Sequence, residues 1–114
     1  MTERVKCESA VRARARGPVT KVKKGMERGI EKHLKESVER RGGLCVKFPP
    51  MFFRGFPDRV VLLPGGKAVF VETKSPGEKP RPIQKTVHAR LRRLGFRVEV
   101  LDSSAGVDDF ITTL

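Results

Sequence analysis

The chain has 114 residues, a length that suits one domain and leaves no room for a second domain with its own core. Its 25 lysines and arginines outnumber its 13 aspartates and glutamates, giving a net charge of +12 and an isoelectric point near 10.5. This charge favours a polyanionic partner, of which nucleic acid is the leading candidate. Hydrophobic residues make up 38% of the sequence and occur in clear runs, which excludes disorder throughout the chain.

The sequence also excludes several other classes of protein. No apolar run approaches the roughly 18 to 20 residues that span a membrane, and the N-terminus lacks the apolar segment of a signal peptide. Cys7 and Cys45 are too few for a disulfide framework and lack the spacing of metal ligands. We therefore expect a soluble cytoplasmic protein without a membrane partner, and no motif indicates a small-molecule cofactor.

Two parts of the chain differ in composition. Residues 1–25 carry eight basic and two acidic residues, which account for half of the net charge, and Gly17 and Pro18 interrupt them. The absence of a sustained apolar period predicts a flexible basic arm, with residues 26–114 forming the folded domain. A solvated tail without function and an extension upstream of a natural start at Met26 remain alternative interpretations of the arm.

The apolar periodicity of residues 26–114 predicts seven elements in chain order. The first helix carries apolar residues at four-residue spacing and ends before two glycines, and the strands are short runs rich in valine, leucine and phenylalanine. The predicted elements are helix 26–41, strands 44–48, 58–63 and 67–74, helix 83–94, strand 96–101 and a short helix within 104–114. The order αβββαβα is typical of an α/β domain in which helices flank a mixed β-sheet.

The predicted hairpin of the second and third strands brings two carboxylates together. If Pro64, Gly65 and Gly66 form a three-residue turn, Asp58 lies opposite Glu72 on one face of the hairpin. Like charges at that distance repel unless a cation lies between them, and Mg²⁺ suits such a pair. The commoner two-residue turn would break this register, so the prediction depends on the turn.

Further polar residues lie on the predicted helices. At about 100° per residue, Glu27 falls inside the apolar stripe of the first helix and Glu31 just outside it. An acidic residue in a buried stripe is costly unless it is paired or binds a metal, so Glu27 is the better candidate and Glu31 the reserve. Gln84 lies on the shoulder of the stripe of the second helix and could approach the same site, whereas His33 and His88 are interpreted as structural.

These residues follow the pattern of a known superfamily. Glu27, Pro57-Asp58 and Glu72-Thr73-Lys74 together resemble the PD-(D/E)xK nucleases. The wider sequence, from GFPDRVVLL through VFVETK and PIQ to LRRLGFRV, is similar to the VRR-NUC domain, the virus-type replication-repair nuclease, over about residues 26–112. The resemblance implies a restriction-endonuclease-like fold, a mixed β-sheet flanked by helices. Thr73 departs from the usual pattern, which has an apolar residue at that position.

The resemblance also implies a chemistry. It suggests an active site in which side chains hold one or two Mg²⁺ ions, with Mn²⁺ as a substitute, and a lysine orients the attacking water. The catalytic set would be Glu27, Asp58, Glu72, Lys74 and Gln84, and the metal ligands Glu27, Asp58, Glu72 and the backbone carbonyl near Thr73. Archaeal junction-resolving relatives, aligned by the spacing to Gly42, place the helical glutamate at Glu31 instead.

The function implied is a Mg²⁺-dependent, structure-selective DNA endonuclease of replication or repair, encoded by a bacterium or phage. Its expected substrate is branched DNA, such as four-way (Holliday) junctions or flaps. The alternative is a catalytically silent basic module that only binds nucleic acid. Symmetric resolution of a junction needs two cuts, so we expect a homodimer.

Two apolar segments could form the self-complementary patch of such a dimer, or could instead complete the core of the monomer. One is the aromatic loop, residues 51–56 (MFFRGF), and the other is the C-terminal segment with Val107, Phe110, Ile111 and Leu114. The aromatic loop could equally act as a DNA wedge or cover the core, and core cover is the default interpretation.

Overall fold

The computed structural model describes residues 21–49 and 51–114. Within this part of the chain it has the predicted order αβββαβα. The elements are α1 (Lys21–Arg40), β1 (Leu44–Lys47), β2 (Arg59–Leu63), β3 (Lys67–Thr73), α2 (Pro82–Arg93), β4 (Arg97–Leu101) and α3 (Ser104–Thr112). The predicted α/β fold class and element order are therefore confirmed. No helix of the described part is both long and apolar enough to span a membrane.

Helix α1 differs from its prediction at one end. It begins at Lys21, so the expected boundary between residues 25 and 26 falls inside the helix, while residues 1–20 of the expected arm lie outside the described residues. Lysine has a good helix propensity, so this turn can be helical. Because the turn is rich in lysine, however, apolar periodicity does not indicate it. The other end is as predicted, because Gly42 adopts a φ of 81° and the N–H of Gly43 donates to the carbonyl of Val38.

The four strands form one mixed sheet in the order β1-β2-β3-β4. β2 is antiparallel to both β1 and β3, whereas β4 runs parallel to β3 after the crossover through α2. Leu63 pairs with Lys67, so the hairpin has the three-residue turn on which the predicted register depends. Continued by one residue, this register brings Asp58 and Glu72 to the same end of the hairpin.

Helices cover the two faces of this sheet with different side chains. The larger core cluster joins α1 and α3 to the face of β3 that carries Val69 and Val71. The smaller cluster packs Val87 and Leu91 of α2 against the opposite face, which carries Phe70. Because side chains alternate along a strand, Thr73 continues the α1 face of β3 and Glu72 continues the α2 face.

Helix α3 completes the core of the monomer. Val107 and Phe110 are fully buried in the larger cluster, and Ile111 and Leu114 pack against it. A hydrogen bond of 2.7 Å between His33 Nε2 and Asp108 Oδ1 further joins α3 to α1. Val107 and Phe110 therefore complete the core of the monomer, which is the alternative that the sequence left open for this segment, and they are not available as a self-complementary dimer patch.

Candidate active site

Three carboxylates meet where the open end of the β2-β3 hairpin lies beside α1. One oxygen each from Glu27, Glu31 and Asp58 lies within 4.8 Å of the other two, and all three residues are partly buried. Glu27 and Glu31 are one helical turn apart on α1, so both side chains reach the end of the sheet. The structure thus brings the favoured and the reserve glutamate together with Asp58.

Asp58 is held by a residue of the neighbouring strand. The backbone N–H of Thr73 donates to Asp58 Oδ1 at 3.0 Å, and Thr73 Oγ1 lies 2.8 Å from Oδ2. Asp58 precedes the first residue of β2, so the strand pleat does not fix its side chain. Its carboxylate groups with those of Glu27 and Glu31. Asp58 also remains close enough to Glu72 for its negative charge to raise the pKa of that carboxyl group. Burial raises the pKa of Asp58, and the Thr73 hydrogen bonds oppose that effect.

Glu31 has cationic partners on the α1 face of the sheet. Its Oε1 lies 3.3 Å from Arg59 Nη2 and 3.8 Å from Lys47 Nζ. Its Oε2 lies 3.2 Å from Thr73 Oγ1, whose single proton can serve either Glu31 or Asp58 at one time. The charge of Glu31 is therefore compensated by the protein itself.

Glu27 differs from Glu31 in this respect. Within residues 26–49 and 51–114, no hydrogen bond or ion pair to its carboxylate is found. Burial raises the pKa of Glu27, with smaller contributions from the negative charges of Glu31 and Asp58. Of the three carboxylates, Glu27 has the largest electrostatic need for an added cation, which agrees with its choice as the helical ligand.

A second group of polar side chains lies on the α2 face. Gln84 Nε2 donates to Glu72 Oε2 at 3.1 Å, and Lys74 Nζ donates to Gln84 Oε1 at 2.9 Å. Lys74 Nζ is also 3.5 Å from Glu72 Oε2. Gln84 Oε1 further accepts the backbone N–H of Arg81 at the start of α2, so this helix terminus fixes the amide. The amide in turn orients both the carboxylate of Glu72 and the ammonium of Lys74.

The environment of Glu72 strongly shifts the pKa of its carboxyl group. Burial, followed by the negative charge of Asp58, raises the pKa of Glu72 to about 7, although Lys74 opposes the shift. On the other side, His88 Nε2 lies 3.9 Å from Glu72 Oε1, which is beyond hydrogen-bond distance. Burial lowers the pKa of His88, aided by Arg92 and Lys74, so the imidazole is neutral near pH 7.

Sequence reasoning missed part of this environment. Neither Arg59 nor the approach of His88 to Glu72 was predicted, although both side chains are buried. The sequence could have indicated Arg59, because strand alternation places its side chain on the α1 face. A cation buried on that face needs a carboxylate as its partner. The position of His88 depends on how α2 docks, which periodicity does not determine.

The donor set suits a hard divalent cation. The cluster offers carboxylate oxygens and, beside them, the hydroxyl of Thr73. Such oxygen ligands are the type that Mg²⁺, Mn²⁺ and Ca²⁺ prefer over softer ligands. Cys45, whose pKa is raised by burial, lies on the α1 face as a neutral thiol near Arg59. The residues at this site therefore fit the divalent metal ion that the resemblance implies.

The metal-free protein should be more stable when Glu27 is neutralised. A raised carboxyl pKa means that the folded state binds the proton more tightly than the unfolded chain does. Protonation of Glu27 therefore stabilises the folded protein. This stabilisation is complete below the ordinary glutamate pKa of 4.5 and is lost as the pH rises through the pKa that Glu27 has in the folded state. In EDTA, Glu27→Gln should therefore raise Tm by a few degrees at neutral pH and change it little below pH 4.5. Thermal unfolding across this range tests the sign, and an unchanged Tm at neutral pH would contradict it.

Comparisons with known proteins agree with the geometry. The family model described as the VRR-NUC domain matches residues 27–105. A relative named "Putative nuclease p44", from Acyrthosiphon pisum secondary endosymbiont phage 1, is 56% identical over 77 residues, or 68% of this chain and 83% of the relative. A solved structure described as a VRR_NUC domain has a TM-score of 0.71 at 39% identity, covering 76% of this chain and 95% of that one. The matched region includes both groups of polar side chains, and the chain belongs to the VRR-NUC domain family.

Proposed function

We propose that this protein is a divalent-metal-dependent endonuclease that hydrolyses phosphodiester bonds in branched DNA, such as four-way junctions or flaps. Membership of the VRR-NUC family and the relative named as a nuclease support a nuclease. That relative belongs to a phage, which supports an intracellular setting in a bacterium. The dependence on a metal, the preference for branched DNA and the roles of single residues are proposals that go beyond these comparisons.

One observation carries the proposal. Glu27, Glu31 and Asp58 each place one carboxylate oxygen within 4.8 Å of the other two, in a protein with a net charge of +12. Such a cluster destabilises the fold through mutual repulsion, and a module that only binds nucleic acid gains nothing from repelling phosphate there. A divalent cation converts the same cluster into a site that attracts a phosphate group.

The ligands in our proposal are the side chains of Glu27, Asp58 and Glu72 and the backbone carbonyl of Thr73. A bound Mg²⁺ or Mn²⁺ supplies positive charge at the phosphoryl group and increases the acidity of a water molecule. Asp58 is central among the ligands, since it lies at the hairpin end between the carboxylates from α1 and Glu72. The bonds from Thr73 fix its orientation before any ligand arrives.

Lys74 and Gln84 act on the α2 side of the site. Lys74 Nζ has three protons, of which the amide of Gln84 accepts one, so the ammonium can also donate to a water or a phosphate oxygen. We assign it to orient the attacking water and to stabilise the charge that develops on the phosphoryl group. Gln84 positions Lys74 and keeps it from forming a closer ion pair with Glu72.

The surface around α2 supports a nucleic acid substrate. A group of exposed cations lies on α2 and on the connection before it, and its members are Lys79, Arg81, Lys85, Arg90, Arg92 and Arg93. Contacts from such residues to phosphates contribute affinity without reading sequence. This agrees with selection by DNA structure rather than by base sequence.

Cleavage assays on four DNA forms test the proposal directly. Four-way, flap, single-stranded and duplex DNA of the same sequence should be compared in Mg²⁺, Mn²⁺ and EDTA. We expect cleavage only with metal and fastest on a branched form. Tight binding to all forms without cleavage in either metal would favour the silent binding module instead.

The homodimer remains part of the proposal because paired cuts in a junction need two sites. With the C-terminal segment buried, the aromatic loop remains as the candidate apolar patch, since Met51 is 92% exposed. Sedimentation at micromolar concentration should show a dimer. A monomer that still makes paired cuts in a four-way junction would refute this prediction.

A further inference from the structure

A pocket between the aromatic loop and the polar groups of the active site has no role in the function proposed above. Its volume is about 210 Å³, and its lining includes Phe52, Phe53, Asp58, Glu72 and Gln84. It therefore joins an aromatic surface to residues that we place in the catalytic site. A larger cavity of about 300 Å³ lies between α1 and α3, away from all predicted site residues.

The aromatic side of this pocket consists of ring faces and edges. Phe48 and Phe52 stack with their centroids 4.9 Å apart and a tilt of 11°. Phe56 meets Phe48, Phe52 and Phe53 edge-on or tilted at 5.2 to 5.5 Å. Phe52 and Phe53 nevertheless stay 55% exposed, so ring surface remains free for another flat group.

The loop that carries these rings is held in place. Gly55 has a φ of 82°, and a Cβ there would lie 2.7 Å from the carbonyl oxygen of Ile83 on α2. The N–H of Phe52 donates to Pro49 and that of Phe56 to Phe53, which closes two successive turns. Phe56 also packs against the smaller core cluster. The exposed rings are therefore organised in advance rather than arranged by a ligand.

Size and position narrow the possible occupants. The volume is below the roughly 300 to 1,000 Å³ of pockets that take a whole drug-sized ligand, so a single ring system suits it better than a complete cofactor. Arg81 also lines the pocket and adds a positive charge that favours a neighbouring phosphate. A second copy of the chain that filled the pocket would cover Asp58 and Glu72 and block the site. A dimer contact through this loop would therefore use Met51, which does not line the pocket, and leave the rings free.

We infer that this pocket binds an unpaired nucleobase next to the phosphate that is cleaved, by stacking it against Phe52 and Phe53. The inference rests on the proposed function and deepens it, because it makes an unpaired nucleotide beside the cleaved bond the recognised feature of branched DNA. Phenylalanine offers no hydrogen bond to a base edge, and stacking tolerates every base. The presence of the base should therefore matter greatly and its identity little.

The test removes the base and the rings separately and then together. On a DNA that the wild-type protein cleaves, the nucleotides around the cut are replaced one at a time by a tetrahydrofuran spacer that lacks the base. We expect one position at which the spacer lowers kcat/KM by roughly 5-fold to 100-fold, the range that one stacked base contributes. The double variant Phe52→Leu/Phe53→Leu should lose a similar factor on intact DNA and lose nothing more on the spacer.

Phe96→Leu is the matched control, because it makes the same chemical change at a partly exposed phenylalanine that does not line the pocket. It should behave as the wild type on both DNAs. Indifference of the wild type to the spacer at every position would overturn the inference, as would a spacer effect that survives undiminished in the double variant. Conversion of the variant from dimer to monomer, with loss of activity, would show instead that the rings form a protein interface.

Failure of the proposed function gives a different result. If the wild type cleaves no DNA, the spacer is moved along a short single-stranded oligonucleotide, and binding is measured by fluorescence anisotropy in EDTA. Weaker binding at one spacer position, absent in the double variant, would support the pocket although the nuclease proposal has failed. Equal binding at all positions would overturn the pocket as well.

Discussion

Asp58→Asn should reduce the rate of DNA cleavage on the order of 1,000-fold while DNA affinity changes less than about threefold. The substitution removes one negative charge but keeps the shape of the side chain and an oxygen that can accept the N–H of Thr73. The site would lose the central member of its donor set. Affinity depends mainly on phosphate contacts with the exposed cations, which the substitution does not alter.

The measurement is single-turnover cleavage in Mg²⁺ beside binding measured without turnover. Asp109→Asn is the matched control, since it makes the same chemical change at an exposed position of α3. The control should cleave at the wild-type rate. An Asp58→Asn variant that cleaves normally, or full wild-type activity in EDTA, would refute a metal site built on this carboxylate.

The sequence was sufficient to predict the strands, and it predicted the register of the hairpin on the condition that the turn has three residues. The glycines at 65 and 66 both adopt positive φ in a three-residue turn, and that turn sets the register from Leu63 and Lys67 onward. Once the register is set, the position of Asp58 relative to Glu72 follows from counting along two strands. The turn and the register depend on residues that are close together in the sequence, which explains why the sequence pattern could predict them.

Other features depend on interactions between elements distant in sequence. Whether Asp58 turns toward Glu72 or toward α1 depends on the hydroxyl of Thr73 and on where α1 docks. Burial of the C-terminal segment likewise required knowing that α3 packs against α1. Periodicity identifies an apolar face but not its neighbour, so it left open whether that face forms a core or an interface.

Glu27→Gln should slow cleavage in Mg²⁺ on the order of 100-fold, and Glu31→Gln should slow it much less. The reason is the difference in their partners. Glu31 already has Arg59 and Lys47 beside its carboxylate, whereas Glu27 has no such partner in the described part of the chain and depends on an added cation. Both substitutions remove one charge from successive turns of the same helix, so each serves as the control for the other.

Their effects on stability should have opposite signs. Glu31→Gln leaves the guanidinium of Arg59, which is only 8% exposed, without its carboxylate, and this should cost about 1 to 3 kcal/mol of unfolding free energy. Glu27→Gln removes a negative charge for which burial and the neighbouring carboxylates outweigh the attraction to Lys74, so it should raise Tm of the metal-free protein at neutral pH. Single-turnover rates and thermal unfolding of the two variants therefore separate a metal-binding carboxylate from one that neutralises a buried arginine. A slow Glu31→Gln variant with normal Tm, beside an active Glu27→Gln variant, would reverse the assignment and place the helical ligand at Glu31.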